Sequence, residues 1–289
     1  MPNIAIMQIS TYHKRLGDDV NWYSHLFDRE DTDILYISKL FDYTRDPAYL
    51  PLTANVIKGG TGYDIKIKLP EDIESIRDLD YSLYPNCNYS VQFYSRGCIR
   101  RCPFCVVPEK EGHIRSTEPF KLNLKGKYIE VLDNNFFANP EWREAIEDLK
   151  RINQPVNFHG VDVRLLNKEQ CEALNNLRLH KQIHIAWDFP QIDLRPKLKE
   201  ILQWIKPYKL MCYVLIGFNS TPEQDLFRVM ELRKLKIDPF VMPYNKHDPY
   251  QRAFARWVNH KAIFKSCTWE EYQNGRKKLI QKERRKYEY

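Results

Sequence analysis

The sequence predicts an α/β protein whose parallel sheet is built from successive βα units, and three observations carry that prediction. From about Lys127, short apolar runs alternate with amphipathic stretches, the pattern of repeated strand–helix units. Between the runs, apolar residues recur at helical spacing, as Trp142, Ala145, Ile146 and Leu149 and again as Leu198, Ile201, Leu202 and Ile205. Each helix therefore offers one stripe to a sheet. The helix starts are also marked. Asn139-Pro140 and Thr221-Pro222 place a capping side chain before a proline, and Asn167 has Gln170 three residues on, which satisfies first-turn amides that have no partner inside the helix.

In chain order, residues 4–9, 33–37 and 54–58 read as strands of an N-terminal unit. They are followed by the run Gly59-Gly60-Thr61-Gly62, whose glycines are most simply turn residues. A strand at 89–94 opens the repeating part, and strands at 128–133, 156–159, 183–188, 210–217 and 239–244 continue it, giving six βα units. Sites in parallel barrels form at the carboxyl ends of strands. Here those ends carry Asp133-Asn134-Asn135, His159 to Arg164, Asp188, Gly217-Phe218-Asn219 and Tyr244-Asn245. Beyond them, Tyr250, Phe254, Trp257 and Val258 share a helix face that reads as core packing.

The chain has 289 residues, 43% of them hydrophobic, enough for one substantial core and a small accessory unit. It opens on an apolar run with no basic leader, and no apolar stretch approaches membrane-spanning length, so the expectation is a cytoplasmic protein without a membrane partner. The net charge of +7 is concentrated near the end, where Arg276, Lys277, Lys278, Lys282, Arg284, Arg285 and Lys286 face a single Glu283. A solvated terminal helix and a phosphate-contacting tail are equal readings of that run.

Three of the seven cysteines fall in one loop, Gly97-Cys98-Ile99-Arg100-Arg101-Cys102-Pro103-Phe104-Cys105. Closed iron–sulfur and structural zinc sites normally use four protein ligands, so three at CxxxCxxC spacing fit a [4Fe–4S] cluster with one iron open to an exchangeable ligand. A zinc site completed by His113, or thiols without a role, are the alternatives. Cys87, Cys171, Cys212 and Cys267 are scattered singly and read as small buried hydrophobes.

This cysteine loop resembles the signature of the radical S-adenosylmethionine (SAM) superfamily. The resemblance implies a partial (β/α)6 barrel over residues 86–245, preceded by a Rossmann-like unit at 1–85 and followed by a helical extension with a basic tail at 246–289. It implies a [4Fe–4S] cluster on Cys98, Cys102 and Cys105, with SAM on the open iron cleaved to a 5′-deoxyadenosyl radical, and a reductant such as flavodoxin or ferredoxin. The N-terminal unit is similar to a shortened cobalamin-binding domain, but His13 and His25 lack the DxHxxG surroundings, so no cobalamin is expected. The methionine part of SAM calls for a guanidinium and for carboxylate or amide oxygens. Arg164 and the trio Asp133-Asn134-Asn135 are residues of the right types; by resemblance the ammonium contact maps to Asp133 and Asn134, with Glu109 and Glu111 as alternatives, and an ion pair of Arg164 with Asp162 or Asp188 is the competing reading. Adenine recognition maps to Phe104 and to the Gly217–Asn219 turn, and Asp188 and Tyr244 are candidates for substrate contact or hydrogen transfer.

The same resemblance sets some reactions aside. No second cysteine cluster follows the barrel, which argues against auxiliary-cluster enzymes, and the N-terminal cysteine trio of methylthiotransferases is missing although Cys102-Pro103-Phe104-Cys105 looks like their motif. The preferred expectation is modification of a nucleobase or nucleic acid, with a small metabolite as the alternative substrate. The alternative of another class is a non-catalytic iron–sulfur or zinc protein that binds nucleic acid.

Overall fold

The computed structural model describes residues 2–24 and 32–275. His25 and the basic run beyond Gly275 lie outside the described residues. The chain divides into two compact units, residues 1–157 and 158–289.

The first unit opens with a correction. Residues 4–9 are not a strand but the start of helix α1 (Ile4–Leu16). Asn3 accepts the Ile6 amide at its start, and Gly17, at φ +93°, ends it in a left-handed turn. These two caps bracket a helix around a run whose β-branched residues suggest a strand. Met7 is fully buried, and the neighbouring polar side chains tie the helix to the following chain: Gln8 donates to the Glu74 and Ile76 carbonyls, and Ser10 to Asp80. Strands β1 (Ile34–Ser38) and β2 (Asn55–Gly59) pair in parallel, as expected, but the connection between them contains no helix. His13 meets Asp18 at 2.6 Å and the Tyr36 hydroxyl at 2.9 Å.

After the short helix α2 (Glu71–Glu74), the strand expected at 89–94 divides into β3 (Ser90–Gln92) and β4 (Ser95–Arg96). Helix α3 (Val107–Lys110), β5 (Arg115–Ser116), β6 (Ile129–Val131), α4 (Trp142–Ile152) and β7 (Val156–Phe158) follow. The sheet order is β3-β6-β7, with β3 and β6 parallel from Ser90 opposite Ile129. Val91, Ile129 and Val156 are fully buried, and a core of Met7, Leu79, Val91 and Phe120 lies beside the sheet. The expected cap of α4 acts elsewhere. Asn139 accepts the Glu141 amide and the Ser116 hydroxyl and donates to the Tyr94 carbonyl, so its side chain joins three segments while the helix starts later, at Trp142.

The second unit matches the expected pattern closely. It runs α5 (Lys168–Asn175), β8 (Ile183–Ala186), α6 (Arg195–Ile201), β9 (Leu210–Ile216), α7 (Pro222–Lys234), β10 (Asp238–Pro243), α8 (Pro249–Asn259) and α9 (Lys261–Ser266). The capping boxes Asn167/Gln170 and Thr221/Gln224 both form. The strands are parallel throughout in the order β10-β9-β8. Ile185, Cys212, Val214 and Val241 are buried, as are Leu198, Ile201, Val229 and Leu232 of α6 and α7, which places apolar strand residues and helix stripes in one core. Helix α8 stops at Asn259, because His260 turns the chain and caps α9 through the Ile263 amide. Phe254 and Trp257 are core residues, as expected, packed with Phe264 and Trp269. The architecture shown is thus α/β with two three-stranded sheets, and no strand pairing closes a barrel among the described residues. No helix among them is long and apolar enough to cross a membrane.

Candidate metal centre

The cysteine loop is held at its base by the antiparallel pair β4–β5, with Ser95 opposite Ser116 and Arg96 opposite Arg115. Gly97 leaves the strand at φ +84°, and a Cβ there would lie 2.3 Å from the His113 carbonyl oxygen and 2.7 Å from that of Gly112. Only glycine fits both the backbone conformation and the space. The Cys98 amide then donates to the Gly112 carbonyl, and Cys105 to the Cys102 carbonyl. Cys98, Cys102 and Cys105 are all partly exposed and line one cavity of about 400 Å³ together with Ile99, Arg101 and His113. Among the described residues no three His, Cys, Asp or Glu side chains are already drawn into a ligand set. The three cysteines nevertheless share one cavity on one loop. The Cys98 sulfur accepts the Arg100 amide at 3.3 Å and faces Asn135 Nδ2 at 3.8 Å, the surroundings that favour a thiolate ligand. Three thiols lining one cavity, with N–H groups on one sulfur, fit an iron–sulfur cluster.

Glu111 joins this loop to the strand end after β6. Its carboxylate accepts from the Arg96 guanidinium and the Gly97 amide, each at 2.8 Å, and from Asn134 Nδ2 at 2.9 Å. Asp133 is 1% exposed and accepts from the Tyr94 amide at 3.1 Å and the Ser95 hydroxyl at 2.6 Å. Burial pushes its carboxyl up to about 6, against the lowering effect of those donors. Both side chains therefore bind the cysteine segment itself. Phe104 lies half-buried within the loop. Asn135, buried against Cys98, was visible in the sequence only as part of a polar run.

The remaining candidates belong to the second unit. Arg164 is paired with Asp162 through Nε at 2.7 Å and a second guanidinium nitrogen at 2.9 Å, the ion pair that the sequence left open. Asp188 accepts the Leu215 amide, and burial raises its carboxyl. Gly217, at φ +77°, donates to the Ser220 hydroxyl, and the Asn219 carbonyl accepts from Gln191. Tyr244 is 56% exposed, edge-on to Phe218. Sequence reasoning missed the buried pair Asp225–Arg228, both 1% exposed or less and joined at 2.7 Å. Arg228 also donates to the Trp187, Asp188 and Leu215 carbonyls, so it fixes the ends of β8 and β9. The spacing of three between two opposite charges on a helix was its available signal. Cys87, Cys171 and Cys212 are buried, and burial lifts the Cys171 thiol to about 11, as expected of thiols that serve packing.

Fold and site together describe an α/β protein with three cysteines on one loop lining a common cavity. No family model matches the chain. Similar proteins are the ribosomal protein uS12 methylthiotransferases RimO of Psychrobacter arcticus, 25% identical over 57% of this chain and 29% of the relative, and of Xanthomonas campestris, 23% identical over 56% and 33%. That of Chromobacterium violaceum is 20% identical over 53% and 34%. These relatives are radical SAM enzymes, and the chain spans about a third of their length. These relatives are thus methylthiotransferases, a group set aside above for want of an N-terminal cysteine trio.

Proposed function

We propose that this chain is a radical SAM enzyme whose cluster is held by Cys98, Cys102 and Cys105. The observation that carries the reading is that these three cysteines, and no fourth, line one cavity on a loop at the end of a strand. A [4Fe–4S] cluster there would supply the electron that cleaves SAM and begins hydrogen abstraction. The protein groups have separable duties. The thiolates hold iron, Glu111 and Asp133 hold the loop, and Asn134 offers an amide at its edge. Arg164, with one charge partner already in place, presents a guanidinium for a carboxylate. Gly217 and Asn219 form a turn suited to adenine, and Asp188 and Tyr244 are the groups read as substrate-facing. The six strands of the two three-stranded sheets agree in number with a partial (β/α)6 barrel. An external one-electron reductant, no cobalamin and a cytoplasmic setting complete the reading.

Two substrate classes follow from different observations. The relatives are named for a ribosomal protein, which favours a protein side chain receiving a methylthio group. The net charge of +7 favours a nucleic acid, in which case binding weakens steeply with salt and removal of residues 275–289 lowers activity. Salt-insensitive binding and turnover reject the second class.

The deciding experiment is anaerobic reconstitution with iron and sulfide, followed by measurement of 5′-deoxyadenosine released from SAM. Release that disappears in Cys98→Ala supports the enzyme. A stable metal centre that neither cleaves SAM nor changes its EPR spectrum on adding it replaces this reading with that of a binding protein.

A further inference from the structure

One side chain beside the cysteine loop is placed at a cost that folding alone does not explain. Asn135 is 2% exposed and stands before a short 3₁₀ turn that its side chain does not cap. Its Oδ1 is buried without a hydrogen-bond partner among the described residues, an arrangement that leaves the cost of desolvating the oxygen unrepaid. The other end of the amide accounts for the orientation, because Nδ2 lies 3.8 Å from the Cys98 sulfur. Turning the amide over would set an oxygen lone pair against that sulfur. The chain just before it is fixed independently. Asp133 is bound by Tyr94 and Ser95, and Asn134 by Glu111, which also holds the Gly97 amide. The Asn135 amide is therefore delivered to one sulfur of the three, and that sulfur already has the Arg100 amide at 3.3 Å.

We infer that Asn135 is a positioning residue of the metal centre: its side-chain N–H donates to the Cys98 thiolate, orients that sulfur, and raises the centre's reduction potential. The inference rests on the iron–sulfur reading of the cysteine loop. Donors to cluster sulfurs stabilise the more negative, reduced state and shift the potential upward. The Arg100 donor is backbone and survives any substitution, whereas the Asn135 donor can be removed without touching a ligand. Its Oδ1 takes no part in this role and is the penalty of holding the nitrogen on the sulfur.

The test compares reconstituted wild type, Asn135→Leu, which keeps the side chain's bulk without a donor, and Asn135→His, which restores an N–H. Iron per chain is measured, and the centre is then titrated against redox mediators in the absence of SAM, so that no turnover is needed. At equal iron content, Asn135→Leu should cut the reduced-to-oxidised ratio at a fixed potential by several-fold, up to about tenfold, which is ~59 mV for a one-electron couple. Asn135→His should recover most of it. A midpoint unchanged between wild type and Asn135→Leu overturns the inference. If Asn135→Leu fails to hold iron while Asn135→His holds the wild-type amount, positioning is supported. Loss of iron in both variants overturns it, because the site then needs the asparagine for packing. A wild-type chain that assembles no iron–sulfur centre overturns the functional reading and this inference with it.

Discussion

Replacing Asp133 with alanine should destabilise the metal-free protein at pH 5, and should cost less at pH 8. The carboxylate is 1% exposed and receives the Tyr94 amide and the Ser95 hydroxyl. Its removal orphans two buried donors at about 1–3 kcal/mol each, or about 2–6 kcal/mol together. Against this stands the cost of ionising a buried acid. Burial lifts the carboxyl from 3.8 to about 6, which is about 3 kcal/mol less stability once the group is fully charged. With a native value above the unfolded one, the wild type is favoured at low pH and loses that contribution as pH rises from about 4 through about 6. By linkage the penalty reaches about 1.6 kcal/mol at pH 5 and about 3 kcal/mol at pH 8, and the alanine variant is spared it. Urea unfolding of both proteins at the two pH values, without iron, should show a loss about 1.4 kcal/mol larger at pH 5. An equal loss at both pH values refutes the raised carboxyl. No loss at pH 5 refutes the role of Asp133 in holding the cysteine strand and returns it to cofactor contact.

Gly97→Ala places a methyl group 2.3 Å from a backbone oxygen at φ +84°; it should lower stability by about 1–3 kcal/mol and reduce iron uptake, both measured after reconstitution. Arg228→Met leaves Asp225 charged and buried and should cost about 3–5 kcal/mol in chemical denaturation, with much of it recovered in the double variant Asp225→Leu/Arg228→Met. Cys102→Ala should abolish the iron–sulfur absorption, whereas Cys87→Ala should keep it, because the Cys87 thiol is buried and donates to the Tyr89 carbonyl.

The second unit was largely legible because its signals are local. An apolar stripe, a capping side chain and a following proline act within one turn of helix, so the capping boxes at Asn167 and Thr221 form as the sequence implies. The N-terminal run misled for the opposite reason. Strand-like composition at residues 4–9 competed with two caps that bracket thirteen residues, and the burial of Met7 with the ties of Gln8 and Ser10 to residues 74–80 favours the helix. Asn139 looked like a cap and became a bridge, since buried amides take whichever partners the surrounding segments bring.

By itself the sequence determined the alternating α/β pattern and the chemistry of three thiols on one short loop. Both depend only on residue type and spacing along the chain. Which polar groups serve that loop was decided by the tertiary structure. Glu111 meets Gly97 and Asn134, Asp133 meets Tyr94 and Ser95, and Asn135 meets Cys98 because β4 pairs with β5 and β6 lies beside β3. A buried carboxylate or amide must find its hydrogen bonds among whatever packing places within about 3 Å, and spacing along the chain does not encode that distance.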